Sequence, residues 1–416
     1  MYDYTRKSQM PAKYDVILIG LSRWDNILNS SVLNIAAEWA KTHRVFYIDR
    51  PFSYKDYFVS KEKAAIQRRG SKLFGGSKYK KVSLHNQEIT VVTPPLSLPI
   101  NKLPEGFVYD TLHAYNNHLI SKVIKQIIKD FNIEQYVFFN SFIPEYFDVI
   151  PKDGPSPILK IYRSSDDISQ EPYIAKHGVR KEQEAVASAD LVLVSSYGLK
   201  QKLSKISEPI YRVPNAARFD LFSNSEQLAK PEELAGIEGK IIFLSGNISG
   251  LRIDYGLLKR ICEEFQNETL VVAGPYNQRE VAEHGLDKIS NIKWLGPVSL
   301  EKITALMKYS HSAIIPFLLN TLTKSIYPLK LNEYLAAGLP VVSSNFSMDI
   351  AAFSTDIYLA TCNQDFIAKL KLALSESPDP IKQQHRKVVA KENNWDARMR
   401  DILQIVERKL FEKQLA

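Results

Sequence analysis

The segment Thr323-Lys-Ser-Ile-Tyr-Pro-Leu-Lys-Leu-Asn-Glu-Tyr-Leu-Ala-Ala-Gly-Leu-Pro-Val-Val342 holds the residue types and spacing most suited to chemistry. Pro328 fits the first turn of a helix, where its missing N–H costs nothing. The exposed amides of that turn, with the helix dipole, form an anion site able to take a diphosphate. Glu333 follows on the same helix, where a carboxylate can accept both hydroxyls of a ribose. Gly338 ends the helix and Pro340 starts the next strand, which capping alone explains. Capping explains neither a glutamate in an otherwise apolar stretch nor the Pro-x-Lys upstream.

Three other places carry candidate groups. Ile161-Tyr-Arg-Ser-Ser-Asp-Asp167 follows a strand, so Asp166 or Asp167 can face a cleft, with Arg163 as an anion partner. The alternative is that one of these aspartates caps the next helix. Arg23, Trp24 and Asp25 follow Gly20 at another strand end, and Trp24 has core packing as its commoner fate. Gly246-Asn-Ile-Ser-Gly-Leu-Arg252 is a glycine-containing loop with a cation at its far end.

The elements that must position these groups alternate between strand and helix. Tyr14-Asp-Val-Ile-Leu-Ile-Gly20 reads as a buried parallel strand, the spacing of Val32, Ile35, Ala36 and Trp39 as a helix, and Arg44-Val-Phe-Tyr-Ile-Asp49 as a second strand. That is a βαβ unit. Strands at 89–93, 136–140, 158–162, 191–195 and 210–213 and a helix at about 109–129 continue it. A polar, acidic stretch up to Gly239 serves as linker. Lys240-Ile-Ile-Phe-Leu-Ser-Gly246 restarts the alternation, with strands at 269–273, 292–295, 312–316 and 340–343. The expectation is α/β architecture with two facing Rossmann-like domains. Residues 1–222 form the first and 236–394 the second, and a C-terminal helix, 395–416, packs back on the first. In such sheets ligands bind at the carboxyl ends of the strands, which selects the loops after Gly20, Tyr162, Gly246, Gly296 and Pro316.

Composition narrows the partners. The chain of 416 residues is long enough for two α/β domains. No apolar run reaches the roughly 20 residues that span a bilayer, and the first 14 residues hold no signal-peptide core. Cys262 and Cys362 stand apart, in no metal-binding spacing, so a reducing, cytoplasmic setting is expected. The formal net charge of +8 is concentrated between Lys55 and Lys81, where Lys61, Lys63, Arg68, Arg69, Lys72, Lys78 and Lys80 oppose Asp56 and Glu62. Tyr54, Tyr57, Phe58, Phe74 and Tyr79 are interleaved. This stretch is a solvated loop or a peripheral docking patch for an anionic membrane, at its inner face. No nucleic-acid reader motif and no G-x-G-x-x-G after a leading strand is found, which sets aside nucleic acid and nicotinamide chemistry.

Segment 323–342 resembles the donor-binding signature of retaining, GT-B-fold glycosyltransferases of the family-4 type, in the teichuronic-acid-biosynthesis-like branch. Val213-Pro-Asn215 with Phe219, Asp220 and Phe222 resembles that family's interdomain joint. Leu295-Gly-Pro-Val298, His311-Ser-Ala-Ile-Ile-Pro-Phe317 and Asn394-Trp-Asp-Ala-Arg398 resemble its base loop, donor strand and crossing helix. The resemblance implies transfer of a sugar from a nucleoside diphosphate, by family habit UDP, to an acceptor hydroxyl with retention. The setting it implies is cell-envelope or polysaccharide synthesis, with a glycan or lipid-linked acceptor. It implies that Glu333 holds the ribose and that the main chain of Val298 meets the base. Gly246 belongs to the diphosphate loop, where Asn247 takes the place of the family's arginine and Arg252 that of its lysine. Lys330 supplies a second cation.

Ser325 stands where the family has its first glutamate, so sugar contacts pass to the backbone amides around Ser325–Tyr327. Asp166 or Asp167 takes the acceptor-facing place, and Gly20, Arg23, Trp24 and Arg163 form the acceptor side. No metal or cofactor is implied, since paired acids serve a metal in another transferase fold and here lie in the other half. The rivals are a non-catalytic partner that keeps the fold and a nucleotide-sugar epimerase.

Overall fold

A computed structural model describes residues 14–25, 30–58, 63–70, 73, 79–170, 174–223, 228–376 and 379–415. The first half supplies β1 (Asp15–Gly20), β2 (Val45–Ile48), β3 (Tyr79–Leu84), β4 (Gln87–Val92), β5 (Tyr136–Ser141), β6 (Leu159–Ser164), β7 (Leu191–Val194) and β8 (Ile210–Arg212). They form one sheet in the order β3-β4-β2-β1-β5-β6-β7-β8, parallel except for the edge hairpin β3–β4. The second half supplies β9 (Ile241–Ser245), β10 (Thr269–Ala273), β11 (Ile292–Gly296), β12 (Ser312–Ile315), β13 (Val341–Ser344) and β14 (Tyr358–Ala360), in the order β11-β10-β9-β12-β13-β14.

The apolar runs explain the layers. Each central strand is buried on both faces, as a parallel sheet sandwiched between helices requires. Val16 and Leu18 enter one core while Ile17 and Ile19 enter the other, and Ile241 and Phe243 alternate likewise with Ile242 and Leu244. Strand order reverses at β1 and at β9, so the switch points lie between β1 and β5 and between β9 and β12.

The chain changes cores between Ala216 and Ala217, and the short helix Phe219–Ser223 packs Phe222 under the second sheet. The segment 217–222, placed with the first half on sequence, thus belongs by packing to the second, because its aromatic residues fill that core. The return crossing lies between Ala390, in the second core, and Trp395, in the first. The helix Trp395–Leu415 then lays Trp395, Met399, Ile402, Val406 and Leu410 on the first sheet's core, the crossing-back that its stripe implies.

The basic stretch is more structured than its composition indicates. Helix Lys63–Arg69 buries Arg69, whose guanidinium bonds Asp25 at 2.6 and 2.7 Å and Asp49 at 2.6 and 2.9 Å. Lys80 sits 4.2 Å above the ring of Trp24, and Tyr79 packs edge-on against Phe131. Lys61, Glu62, Lys72, Phe74 and Lys78 lie outside the described residues.

The halves also touch away from the crossings. The Ser196 hydroxyl donates to the Ser325 carbonyl at 2.7 Å, and the Tyr197 amide to the buried Asp349 carboxylate at 2.9 Å. Arg212 pairs with Asp349 at 3.0 Å. Gly198 permits the approach: a Cβ there would lie 2.6 Å from the Lys324 carbonyl oxygen.

Candidate functional site

The carboxyl ends of the two sheets face each other across a cleft of about 530 Å³. On the first wall stand Leu21 and Ser22 after β1, Arg50 after β2, Ser141 and Phe142 at β5, and Asp166 after β6. The second wall is the loop Gly246–Asn247 with Arg252, Phe317 after β12, and the entry Tyr327–Lys330. Among the described residues the lining holds three cations, Arg50, Arg252 and Lys330, against one carboxylate, Asp166. The cleft therefore favours an anion.

The second wall is shaped largely by backbone. Gly246 and Gly274 have φ of +134° and +141°, and a Cβ on Gly274 would stand 1.9 Å from the Gly246 carbonyl oxygen. The Gly246 amide donates to Ala273 at 3.0 Å and the Gly274 amide to Gly296 at 2.8 Å, which straps the loops after β9, β10 and β11 together. The helix Leu329–Ala336 begins from Pro328, whose carbonyl takes the Leu331 amide at 3.1 Å. First-turn amides upstream of it have no intrahelical acceptor. The Tyr334 hydroxyl accepts from the Ser245 amide at 2.8 Å, tying the helix to the end of β9.

Glu333 is wholly buried. Its Oε2 accepts from Lys330 Nζ at 2.6 Å, while its Oε1, equally buried, has no hydrogen-bond partner. A buried carboxylate oxygen left without a donor costs about 1–3 kcal/mol, so a hydroxyl delivered by a ligand suits it. Lys330 rather than Glu333 forms the cleft surface here.

Of the donor-side candidates, Gly246, Asn247, Arg252, Pro328 and Lys330 line the cleft; Val298, Ser325 and Glu333 do not. Val298 packs against the second core beyond the edge strand β11. Ser325 is buried against the first half, and its amide and that of Ile326 donate to Leu322 and Thr323 at 3.1 and 3.0 Å. Those two amides, expected to meet the sugar, are therefore engaged in closing the preceding turn.

On the first wall Asp166 lines the cleft and Asp167 does not. Asp167 is buried, and its Oδ1 accepts from Lys202 at 2.5 Å and from the Ser169 hydroxyl and amide at 2.6 and 3.0 Å. Burial acts to raise its pKa, and these bonds outweigh it and hold the carboxyl below the ordinary value. Asp167 is thus the cap of the turn Ile168–Gln170 rather than a catalytic candidate.

Arg163, expected on the acceptor side, is 1% exposed and lies under the cleft, donating to Asn215 at 2.9 Å and Ser31 at 3.3 Å. Burial lowers its pKa to about 10 against the pull of Asp166. β6 runs two residues beyond its expected end, which draws Arg163 into the sheet. Gly20, Arg23 and Trp24 also lie off the lining. Gly20 is packed against Val32, the Arg23 guanidinium rests 3.5 Å over Phe52, and Trp24 joins the first core. Their neighbours Leu21 and Ser22 take the cleft positions.

Arg50 and the hydroxyls of Ser30 and Ser31 were missed; Arg50 follows β2 at a strand's carboxyl end, where the same rule would have found it. Among the described residues no group of three or more His, Cys, Asp or Glu is placed to hold a metal, and no helix is long and apolar enough to cross a membrane.

Two facing Rossmann-like domains with a cleft between switch points define the GT-B architecture. Residues 239–375, in the second half, match the family model described as glycosyl transferases group 1. TuaH of Bacillus subtilis (strain 168), named as a teichuronic acid biosynthesis glycosyltransferase, is 26% identical over 226 residues. That match covers 52% of this chain and 57% of the relative, so it spans little more than half the relative's length. Solved structures agree on the fold. The apo structure of OtsA superposes with a TM-score of 0.67 at 11% identity, over 94% of this chain and 98% of that one. A trehalose 6-phosphate synthase from Burkholderia multivorans gives 0.65 at 11%, over 97% and 98%. A sucrose-phosphate synthase from Thermosynechococcus elongatus gives 0.61 at 12%, over 96% and 100%.

Proposed function

We propose that this chain is a glycosyltransferase that moves a sugar from a nucleoside diphosphate, UDP, to an acceptor hydroxyl with retention, in the synthesis of a cell-envelope glycan. The observation that carries the reading is the Lys330–Glu333 pair at a helix entrance, with Glu333 Oε1 buried and lacking a donor beside a cationic cleft. A nucleoside diphosphate meets both needs. Its diphosphate draws Lys330 and Arg252, together with the first-turn amides, and its ribose hydroxyls donate to the carboxylate that Lys330 leaves.

In the reaction the bond from anomeric carbon to diphosphate oxygen breaks, the acceptor oxygen bonds to that carbon on the same face, and the acceptor proton passes to the departing diphosphate oxygen. The same cations stabilise the leaving diphosphate in place, which is preorganised electrostatic catalysis. Protein cations, not a metal, carry that charge in this proposal. Asp166 faces the sugar and its acceptor from the opposite wall.

Calorimetric titration with UDP and with GDP, metal-free, tests the donor site. UDP binds the wild type, and Glu333→Ala abolishes the heat. Failure of both nucleotides to bind would sink the reading. Ser325 in place of a glutamate, with its amide engaged, favours a second reading, a non-catalytic partner; UDP binding without turnover of any UDP-sugar supports that one.

A further inference from the structure

Beside the cations Arg252 and Lys330, the second wall of the cleft is apolar. Loop 249–253 is zipped to the loop that follows β12. The Asp254 amide donates to the Pro316 carbonyl at 2.9 Å, the Leu318 amide to the Arg252 carbonyl at 2.8 Å, and Ile253 bridges Phe317. Asn320 then caps the turn Thr321–Lys324, which brings the chain back to Ser325 and Ile326. Ile248, Ile253, Phe317 and Ile326 from these segments all line the cleft. They surround the approach to Ser325, where the resemblance places a glutamate that collects sugar hydroxyls.

The same wall has little left to offer a sugar hydroxyl. Among the described residues it contributes no carboxylate to the lining. The Tyr327 hydroxyl takes the Asn332 amide at 3.1 Å. The Tyr334 hydroxyl takes the Ser245 amide at 2.8 Å and shares a bond with the Ser245 hydroxyl at 3.2 Å. The Ser325 and Ile326 amides close the preceding turn. That leaves the wall's exposed neutral polar side chain, Asn247, after β9. A hydroxyl pressed against such a wall loses water and gains no partner, whereas a methyl group gains from its burial. An asparagine side chain, for its part, matches another amide, donor to acceptor and acceptor to donor.

We propose that the transferred sugar is an acetamido sugar, whose amide group pairs with Asn247 and whose methyl group packs among Ile253, Phe317 and Ile326. The inference rests on the transferase reading and narrows its donor. A few placed polar groups on an apolar lining fix a ligand's orientation, and here the group they fix is the N-acetyl substituent. Ser325 in place of a glutamate then marks a change of donor and not a loss of transfer. A carboxylate that collects hydroxyls gives way to a surface that fits a methyl.

Metal-free calorimetry of the full chain with matched nucleotides tests this. The pairs are UDP-N-acetylglucosamine against UDP-glucose and UDP-N-acetylgalactosamine against UDP-galactose. UDP-6-deoxyglucose is the control for a methyl group without an amide. At least one acetamido nucleotide is expected to bind about tenfold tighter than its parent hexose, and tighter than UDP-6-deoxyglucose. Phe317→Ala and Asn247→Ala each cut that ratio to about threefold or less. The ratio is taken within one protein, so a general loss of folding or of nucleotide affinity cancels. Parent hexoses bound as well as both acetamido nucleotides overturn the proposal, as does a larger gain for UDP-6-deoxyglucose or a ratio that neither variant changes. UDP bound with no preference among sugars removes the sugar assignment and leaves the transferase; failure to bind UDP or GDP removes the transferase reading and this inference with it.

Discussion

Both sheets bring their central strands to the same cleft, yet they offer a ligand different things. The second half offers backbone: left-handed glycines after β9 and β10, a helix entrance after Pro328, and cations at the edges. The first half holds many polar side chains at its strand ends, but most are bonded to one another. Asp25 and Asp49 grip Arg69, Asp167 grips Lys202, and Arg163 grips Asn215. A site made of backbone is already committed by local sequence. A site made of side chains depends on which partners the rest of the fold brings near.

Breaking that contrast begins with its strongest element. Gly274→Ala forces a methyl group into the Gly246 carbonyl, and urea unfolding is expected to show a loss above about 4 kcal/mol; a variant of wild-type stability would show that the loop strap is dispensable. Arg69→Ala strands the buried Asp49 and costs about 3–5 kcal/mol in the same assay. Arg252→Ala, a cleft-lining change, leaves the unfolding midpoint in place and weakens UDP binding by about tenfold, roughly 1.4 kcal/mol.

The adjacent aspartates sharpen the comparison within one loop. Asp167→Asn is expected to cost about 1 kcal/mol of stability, modest because Lys202 is partly exposed, with turnover kept. Asp166→Asn is expected to lose turnover with stability kept. An exchange of these outcomes would reverse the assignment. The smallest effect is in pH. Burial acts to raise the pKa of Asp25, but Arg69 and Arg68 prevail and lower it from 3.8 to about 2. The stability this gives is complete above about pH 4 and drains as pH falls toward 2. Urea midpoints of Asp25→Asn across that window are expected to fall less steeply than those of the wild type.

Legibility followed the same division. The alternation of apolar runs was enough to locate the βαβ units, and the stripe Met399–Val406 located the crossing helix. The donor-side loops were readable because Gly246, Pro328 and Gly338 each carry conformational meaning without reference to the rest of the chain. Arg163 was misplaced because a strand end read two residues short turns a cleft residue into a core one. Nothing local in the run from Lys63 to Arg69 distinguishes the buried arginine from its solvated neighbours; only the two aspartates, some 20 and 44 positions earlier, do. β3 escaped notice because its burial is partial along its length, as an edge strand's is.

The helix Trp395–Leu415 bears on how the molecule is assembled. During synthesis the second half emerges as one uninterrupted stretch and can complete its own core. The first half, although made before the second, lacks Trp395, Met399, Ile402, Val406 and Leu410 until that helix leaves the ribosome. Of the two domains, the one whose first strand is translated before the other's is thus the one whose packing is finished after it, and until then it presents an open apolar face.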